Sequence, residues 1–149
     1  MQNLIDYIDI REVGAPVAAA SNTDSNSDRI DMSCFEGAIF ITPIEDSDAT
    51  GVATQTIQQN TADSDSGMAA LASGASTKTC TINDDINNTL LVTAVHKPLE
   101  RYIQAVRTSA TANIAFGTQI VILYGCKKLP VSTHSTVSDS DEVISPAEA

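Results

Sequence analysis

The chain has 149 residues, of which 19 are acidic and 8 basic, so its formal net charge is −11. This length suits one domain. A surface this acidic argues against nucleic acid and membrane lipid as partners, because both are bound through clustered Lys and Arg. Aromatic residues make up 4% of the chain and tryptophan is absent. The core must therefore be built mainly from Ile, Val, Leu and Ala, which favours β structure.

The first residues lack the basic and apolar regions of a signal peptide, and no run approaches the apolar length of a membrane span. We therefore expect neither export nor membrane insertion. Three cysteines, Cys34, Cys80 and Cys126, form no CxxC pair. This odd number argues against a disulfide framework or a zinc site. Each cysteine lies next to apolar or strand-like sequence, which predicts a buried free thiol.

The N-terminal third predicts two strands and a loop. Residues 4–13 alternate imperfectly between apolar and polar side chains, which allows an edge strand. Residues 21–28, "SNTDSNSD", are all polar turn formers and predict a loop. Residues 36–44, "EGAIFITPI", predict a strand that is buried on both faces and limited by Pro43.

The middle of the chain is more polar. Residues 52–60, "VATQTIQQN", predict a strand with one face in water, and residues 61–67, "TADSDSG", predict a loop. Residues 68–74, "MAALASG", are too few for a stable helix, so we expect a single helical turn or a tight connection.

Three β-rich runs follow, at residues 89–97, 101–110 and 112–125, and the second alternates as a half-exposed strand does. Several short strands at this spacing predict an all-β fold: a single-domain β-sandwich, jelly-roll-like, over residues 1–128. Residues 129–149 contain four acids and no Lys or Arg. This composition predicts an extended C-terminal tail that leaves the domain.

Catalytic motifs are missing from the sequence. His96 and His134 are the only histidines, and neither lies in a motif that activates a nucleophile. The best metal candidate, "DSDSG" at residues 63–67, resembles the start of a calcium loop, but the downstream glutamate is missing. A solvated hairpin tip explains these acids better. We therefore expect no enzyme, no catalytic residues, no cofactor and no metal site.

The order of the segments resembles a known family. The stretches "IDMSCFEGAIFI", "TQTIQQNTADSDSG", "LLVTAVHKPLERYIQAV", "GTQIVILYGCKKLP" and "VISPAEA" are similar to a family of small virion structural proteins of tailed bacteriophages. Such proteins accompany the major capsid protein, and some decorate or cement the head with a jelly-roll-like β fold. Departures from the pattern are Cys34, in place of Gly or Ala, and "DSDSGMAAL", where an aromatic residue often follows the hairpin.

The resemblance implies a non-enzymatic capsid decoration or cement protein. Its partner would be the major capsid protein, and it would form a homo-oligomer, either a dimer or a trimer. It would be made in the host cytoplasm and lie on the outer surface of the phage head, where its acidity avoids the packaged DNA. Within virion biology, the alternative is a head completion or tail component. An alternative of another class is a β-sandwich that binds host-surface carbohydrate.

The resemblance also suggests a role for the C-terminal tail. The tail combines acidic residues with a small apolar group, and we predict that four residues clamp a neighbouring subunit: Val131, Val143, Ile144 and Pro146. Burying Val143 and Ile144 would contribute about 3–5 kcal/mol before ordering costs. Repetition across a shell would multiply this modest contribution.

Overall fold

Eleven β-strands and two short 3-10 helices form the part of the chain that the computed structural model describes, residues 4–132 and 134–141. The helices are η1 (Leu4–Asp6) and η2 (Met32–Cys34). The strands are β1 (Ile8–Gly14), β2 (Val17–Ala20), β3 (Thr23–Asn26), β4 (Ile30–Asp31), β5 (Gly37–Ser47), β6 (Val52–Asn60), β7 (Ala69–Thr79), β8 (Thr89–His96), β9 (Tyr102–Ala110), β10 (Ile114–Phe116) and β11 (Gln119–Tyr124).

The strands form two antiparallel sheets. The first sheet has the order β1-β11-β5-β8. Where β1 and β11 end, β2 and β10 continue the same sheet and pair with each other. The second has the order β3-β9-β6-β7, and β4 also pairs with β9. This is the strand order of a jelly roll. The predicted all-β, single-domain sandwich is confirmed.

Pro43 does not end its strand, contrary to our expectation. β11 pairs with β5 as far as Ile41, and β10 pairs with it from Ile44 onward, so Pro43 lies opposite the break between β10 and β11. At that break the N–H of Gly117 donates to the carbonyl of Pro43 at 2.9 Å. The missing N–H of Pro43 therefore leaves no ladder hydrogen bond unmade, and β5 continues to Ser47.

The core consists of two apolar clusters separated by a polar layer. One cluster contains Phe40, Ile57 and Val95, and the other contains Ile44, Ala53 and Leu91. Between them on the same three strands lie the buried polar residues Thr42, Gln55 and Thr93.

Gln55 links the two sheets across this layer. Its Nε2 donates to the carbonyl of Phe40 at 3.2 Å and to Oγ1 of Thr93 at 3.0 Å. Its Oε1 accepts from Oγ1 of Thr42 at 2.5 Å and from Nε2 of Gln119 at 2.9 Å. The sandwich is therefore held by directional bonds as well as by apolar packing.

Three further expectations are corrected. The polar segment 21–28 contains strand β3, which pairs with β9. Residues 68–74 make no helical turn but begin β7, where four residues bulge opposite Ile57. β9 is not half-exposed, because it lies between β3 and β6 and both of its faces are largely buried. The strands predicted within residues 36–44, 52–60 and 89–97 are confirmed.

Candidate interaction surface

The outer face of the first sheet is apolar across four strands. In β5 the alternation sends Phe40 and Ile44 into the core and leaves Ile39 and Ile41 on the outside. We call the outward set the apolar face. It consists of Ile8, Ile10, Ile39, Ile41, Pro43, Leu90, Val92, Ala94, Ile120 and Ile122.

Strand register lines these side chains up in rows. One row runs from Ile10 through Ile122 and Ile39 to Ala94. The next runs from Ile120 through Ile41 to Val92, with Glu12 paired to Ile120 at the edge. A third contains Pro43 and Leu90. Directly opposed residues on one face of a sheet lie within contact distance, so the rows form one continuous patch.

The most exposed part of the apolar face lies on β8. Leu90 is 58% exposed and Val92 is 49% exposed, although neither is needed in the core. In the part of the chain that the structure describes, no strand or helix packs over the centre of this face. Contiguous apolar patches of this kind mark interaction sites.

The outer face of the second sheet differs, because it is mostly polar. Its side chains bond across strands: Oγ1 of Thr108 donates to Oδ1 of Asp24 at 2.6 Å, and Nε2 of Gln104 donates to Oε1 of Gln58 at 2.8 Å. The two faces of one sandwich therefore differ in chemistry, and only one has the composition of a protein contact.

The described part of the C-terminal tail borders the apolar face. The N–H of Val131 donates to the carbonyl of Asp6 at 2.9 Å, and the N–H of Glu12 donates to Oγ1 of Thr136 at 3.1 Å. A cleft of about 180 Å³ separates the tail from β1, and its apolar lining comprises Ile5, Ile8, Ile10, Val131 and Val137. The tail therefore lies against β1 over this stretch, which corrects the expectation that it leaves the domain.

The predicted clamp residues are thus only partly placed. Val131 contacts its own chain. Val143, Ile144 and Pro146 lie outside the described residues, so their role in binding a neighbour stays a prediction. The apolar face was not among the predicted sites. Its sequence signal is the presence of apolar residues at the alternate, outward-facing positions of β5, β8 and β11.

The candidate catalytic histidine His96 and the candidate metal-binding acids Asp63 and Asp65 make contacts within the fold. His96 stacks on Tyr124 with ring centroids 6.0 Å apart, and Asp63 and Asp65 pair with Arg29 at 2.6 and 2.7 Å. Over residues 4–132 and 134–141, no three His, Cys, Asp or Glu side chains are grouped so that they could hold a metal ion.

The three cysteines are free, as predicted, but they differ in burial. Cys80 is buried, and its Sγ lies 3.0 Å from the carbonyl oxygen of Ile82. Cys126 is half-buried. Cys34 is exposed, and this corrects the expectation of a buried thiol.

Arg107 is the one charged residue among the largest fully buried side chains of the described chain. Its two terminal nitrogens donate to the carbonyl of Gly117 and to Oγ of Ser25, each at 3.0 Å. Burial lowers the pKa of this guanidinium. These bonds hold β9 to the turn between β10 and β11 and to β3, so Arg107 has a structural role.

No helix among residues 4–132 and 134–141 has the length and apolar character needed to cross a membrane. The chain matches no family model and no curated protein.

Proposed function

We propose that this protein is a non-enzymatic virion structural protein that decorates or cements the head of a tailed bacteriophage by binding its major capsid protein. The observation that carries the proposal is the apolar face, a four-stranded aliphatic surface with one charged neighbour, Glu12, at its β1 edge, on a chain of net charge −11. The resemblance of the sequence segments to small virion proteins supplies the partner.

The size of the apolar face favours attachment to a repeated surface. Four strands about 4.8 Å apart, with five residues rising about 3.4 Å each, cover roughly 300 Å². A stable complex of two proteins usually buries about 800 Å² on each partner. One such contact is therefore weak, and many copies on a shell gain strength from multivalency.

Charge supports the outer surface of the head as the location. Binding through the apolar face would turn the polar face of the second sheet, with Asp24 and its neighbours, away from the shell. An acidic surface is repelled by packaged DNA and tolerated in water. A head completion or tail component could use the same apolar face, and copy number separates the two roles.

No observation favours carbohydrate binding. Sugar sites stack their ligands on exposed aromatic rings, but Phe40 and Phe116 are buried here. Tyr7, Phe35, Tyr102 and Tyr124 are half-buried.

The test is rebinding to particles that lack the protein. The variant Leu90→Lys/Val92→Lys places two charges on the apolar face, and the matched control Thr54→Lys/Thr77→Lys places two on the second sheet. Burying each of these aliphatic side chains contributes about 1.5–3 kcal/mol, so the first variant should lose at least about tenfold in bound copies.

The bound copies are counted by quantitative mass spectrometry against the major capsid protein, and circular dichroism checks that both variants fold. The control should bind as the wild type does. Equal binding by both variants, or equal loss in both, would refute attachment through the apolar face. Hundreds of wild-type copies per particle would support decoration, and about a dozen would support a head completion or tail role.

A further inference from the structure

The two ends of the sandwich differ in charge. One end, which we call the Ile82 end, is formed by residues 48–51, 80–88 and 111–113. Hydrogen bonds hold these loops together, from Thr50 N–H to the carbonyl of Cys80 at 2.9 Å and from Asp48 N–H to the carbonyl of Asn113 at 3.0 Å.

Acidic side chains dominate the Ile82 end. Asp84 and Asp85 are exposed beside Ile82, and Asp46 and Asp48 lie on the neighbouring segment. Lys78 lies near enough to Asp85 for a favourable electrostatic interaction.

The opposite end, which we call the Leu99 end, is formed by residues 32–36, 97–101 and 125–128. Lys97 N–H donates to the carbonyl of Glu36 at 2.6 Å, and Lys127 N–H donates to the carbonyl of Cys34 at 2.9 Å. Two acids lie here, Glu36 and Glu100, and Asp31 directly precedes the first segment. Four of the chain's eight basic residues also lie here: Lys97, Arg101, Lys127 and Lys128.

Each end presents one prominent aliphatic side chain. Ile82 is 70% exposed and Leu99 is 92% exposed. The Ile82 loop is preorganised, because Oδ2 of Asp85 accepts from the N–H groups of Thr81 and Ile82 at 2.9 and 3.2 Å. Burying an ordered loop costs less conformational entropy than burying a mobile one.

The Leu99 end also offers a place for an aliphatic side chain. A hollow of about 410 Å³ lies beside Leu99, and its polar lining residues are Gln59, His96 and Lys97. Its apolar lining consists of Ala70, Leu71, Ala72, Val95, Pro98 and Leu99. One end thus carries an acidic loop with an aliphatic tip, and the other carries a largely apolar hollow with one lysine in its lining.

We propose that copies of this chain associate end to end, with Ile82 of one copy seated in the hollow beside Leu99 of the next. Asp84 and Asp85 then face Lys97 across the contact, so the charges of the two ends are complementary. The contact joins two different surfaces and is heterologous, which produces a closed ring where the rotation permits and an open chain otherwise. It leaves the apolar face uncovered and does not depend on the proposed attachment to a shell.

The heterologous geometry allows a test by complementation. Ile82→Lys damages one end and Leu99→Lys damages the other, so each variant alone should be monomeric by sedimentation. An equimolar mixture keeps one intact Ile82 end and one intact Leu99 end. It should form a heterodimer and nothing larger, while the wild type forms larger species at low salt that dissociate as salt is added.

A matched variant separates this contact from the apolar face. Leu90→Lys lies on the apolar face and should still self-associate as the wild type does, although it should bind particles less well. The proposal is overturned if the wild type is monomeric up to its solubility limit, if either end variant still self-associates, or if the mixture stays monomeric. Sedimentation of the isolated protein tests only the end-to-end contact, so a negative result leaves the proposed attachment to the phage head unaffected. A failure to bind particles likewise leaves the end-to-end contact unaffected.

Discussion

Replacing Gln55 by leucine tests whether the polar layer holds the two sheets together. The substitution keeps the volume of the side chain but removes all four hydrogen bonds that Gln55 makes. Thr93 keeps its bond to Ser76. The groups left without a partner among the described residues are Nε2 of Gln119 and Oγ1 of Thr42.

The expected loss in the free energy of unfolding follows from the two unpaired groups, Nε2 of Gln119 and Oγ1 of Thr42. Each stranded buried donor costs about 1–3 kcal/mol, and the greater apolar surface of leucine returns roughly 1 kcal/mol. We expect Gln55→Leu to lower the free energy of unfolding by about 3 kcal/mol, or more than about 100-fold in the folding equilibrium. Urea denaturation followed by circular dichroism measures this change.

Gln59→Leu is the matched control on the same strand. Gln59 makes one exposed hydrogen bond, to the N–H of Leu99 at 3.2 Å, so its replacement should change stability by less than about 0.5 kcal/mol. If Gln55→Leu also fell within about 0.5 kcal/mol of the wild type, the hydrogen bonds of the polar layer would not hold the two sheets together.

Two further predictions concern acid and thiol reactivity. Hydrogen bonds from Arg101 hold the pKa of Asp31 well below its ordinary value of 3.8. The ionised carboxylate therefore stabilises the fold above pH 3.8, and this contribution is lost as the pH falls further. Asp31→Asn should therefore lower the free energy of unfolding at neutral pH, and that free energy should then fall less steeply with acid than it does in the wild type. Acid titrations at fixed urea measure both, and parallel stability curves for the variant and the wild type would contradict this. A thiol reagent should label exposed Cys34 first, half-buried Cys126 more slowly and buried Cys80 only after unfolding, and mass spectrometry of the labelled peptides detects the order. Labelling of Cys80 in the native protein at the rate of Cys34 would contradict the burial.

Much of the fold could be predicted from the sequence because apolar alternation and apolar runs mark central strands. The runs that became β5, β6 and β8 were identified in this way. β3 was missed because its residues, Thr23–Asn26, are all polar, and pairing with β9 outweighs their preference for turns. Tertiary pairing of this kind leaves no local signal.

β7 was missed for a different reason. Its first residues are small and helix-compatible, and its bulge depends on a close approach that spacing does not reveal. A Cβ at Gly74 would lie 2.8 Å from Cβ of Leu71, so glycine permits the bulge that packs Leu71 against the core.

The apolar face could not be assigned from sequence alone. The run around Ile39 and Ile41 reads as a strand buried on both faces, and its composition is the same whether the second covering layer comes from its own chain or from another protein. Only the three-dimensional arrangement distinguishes these cases, because the described residues form two sheets and no third layer over this face.

The pairing of β1 with β11 also constrains how the chain is made. Ile8 pairs with Tyr124, so the N-terminal strand leaves the ribosome long before its partner does. Until β11 emerges, β1 has no strand to pair with, and the edge of β5 from Gly37 to Ile41 stays unpaired. Such distant pairings fold slowly and expose nascent chains to aggregation. Synthesis of this protein should therefore be sensitive to termination before or within β11, because loss of β11 removes the strand that joins β1 to the first sheet.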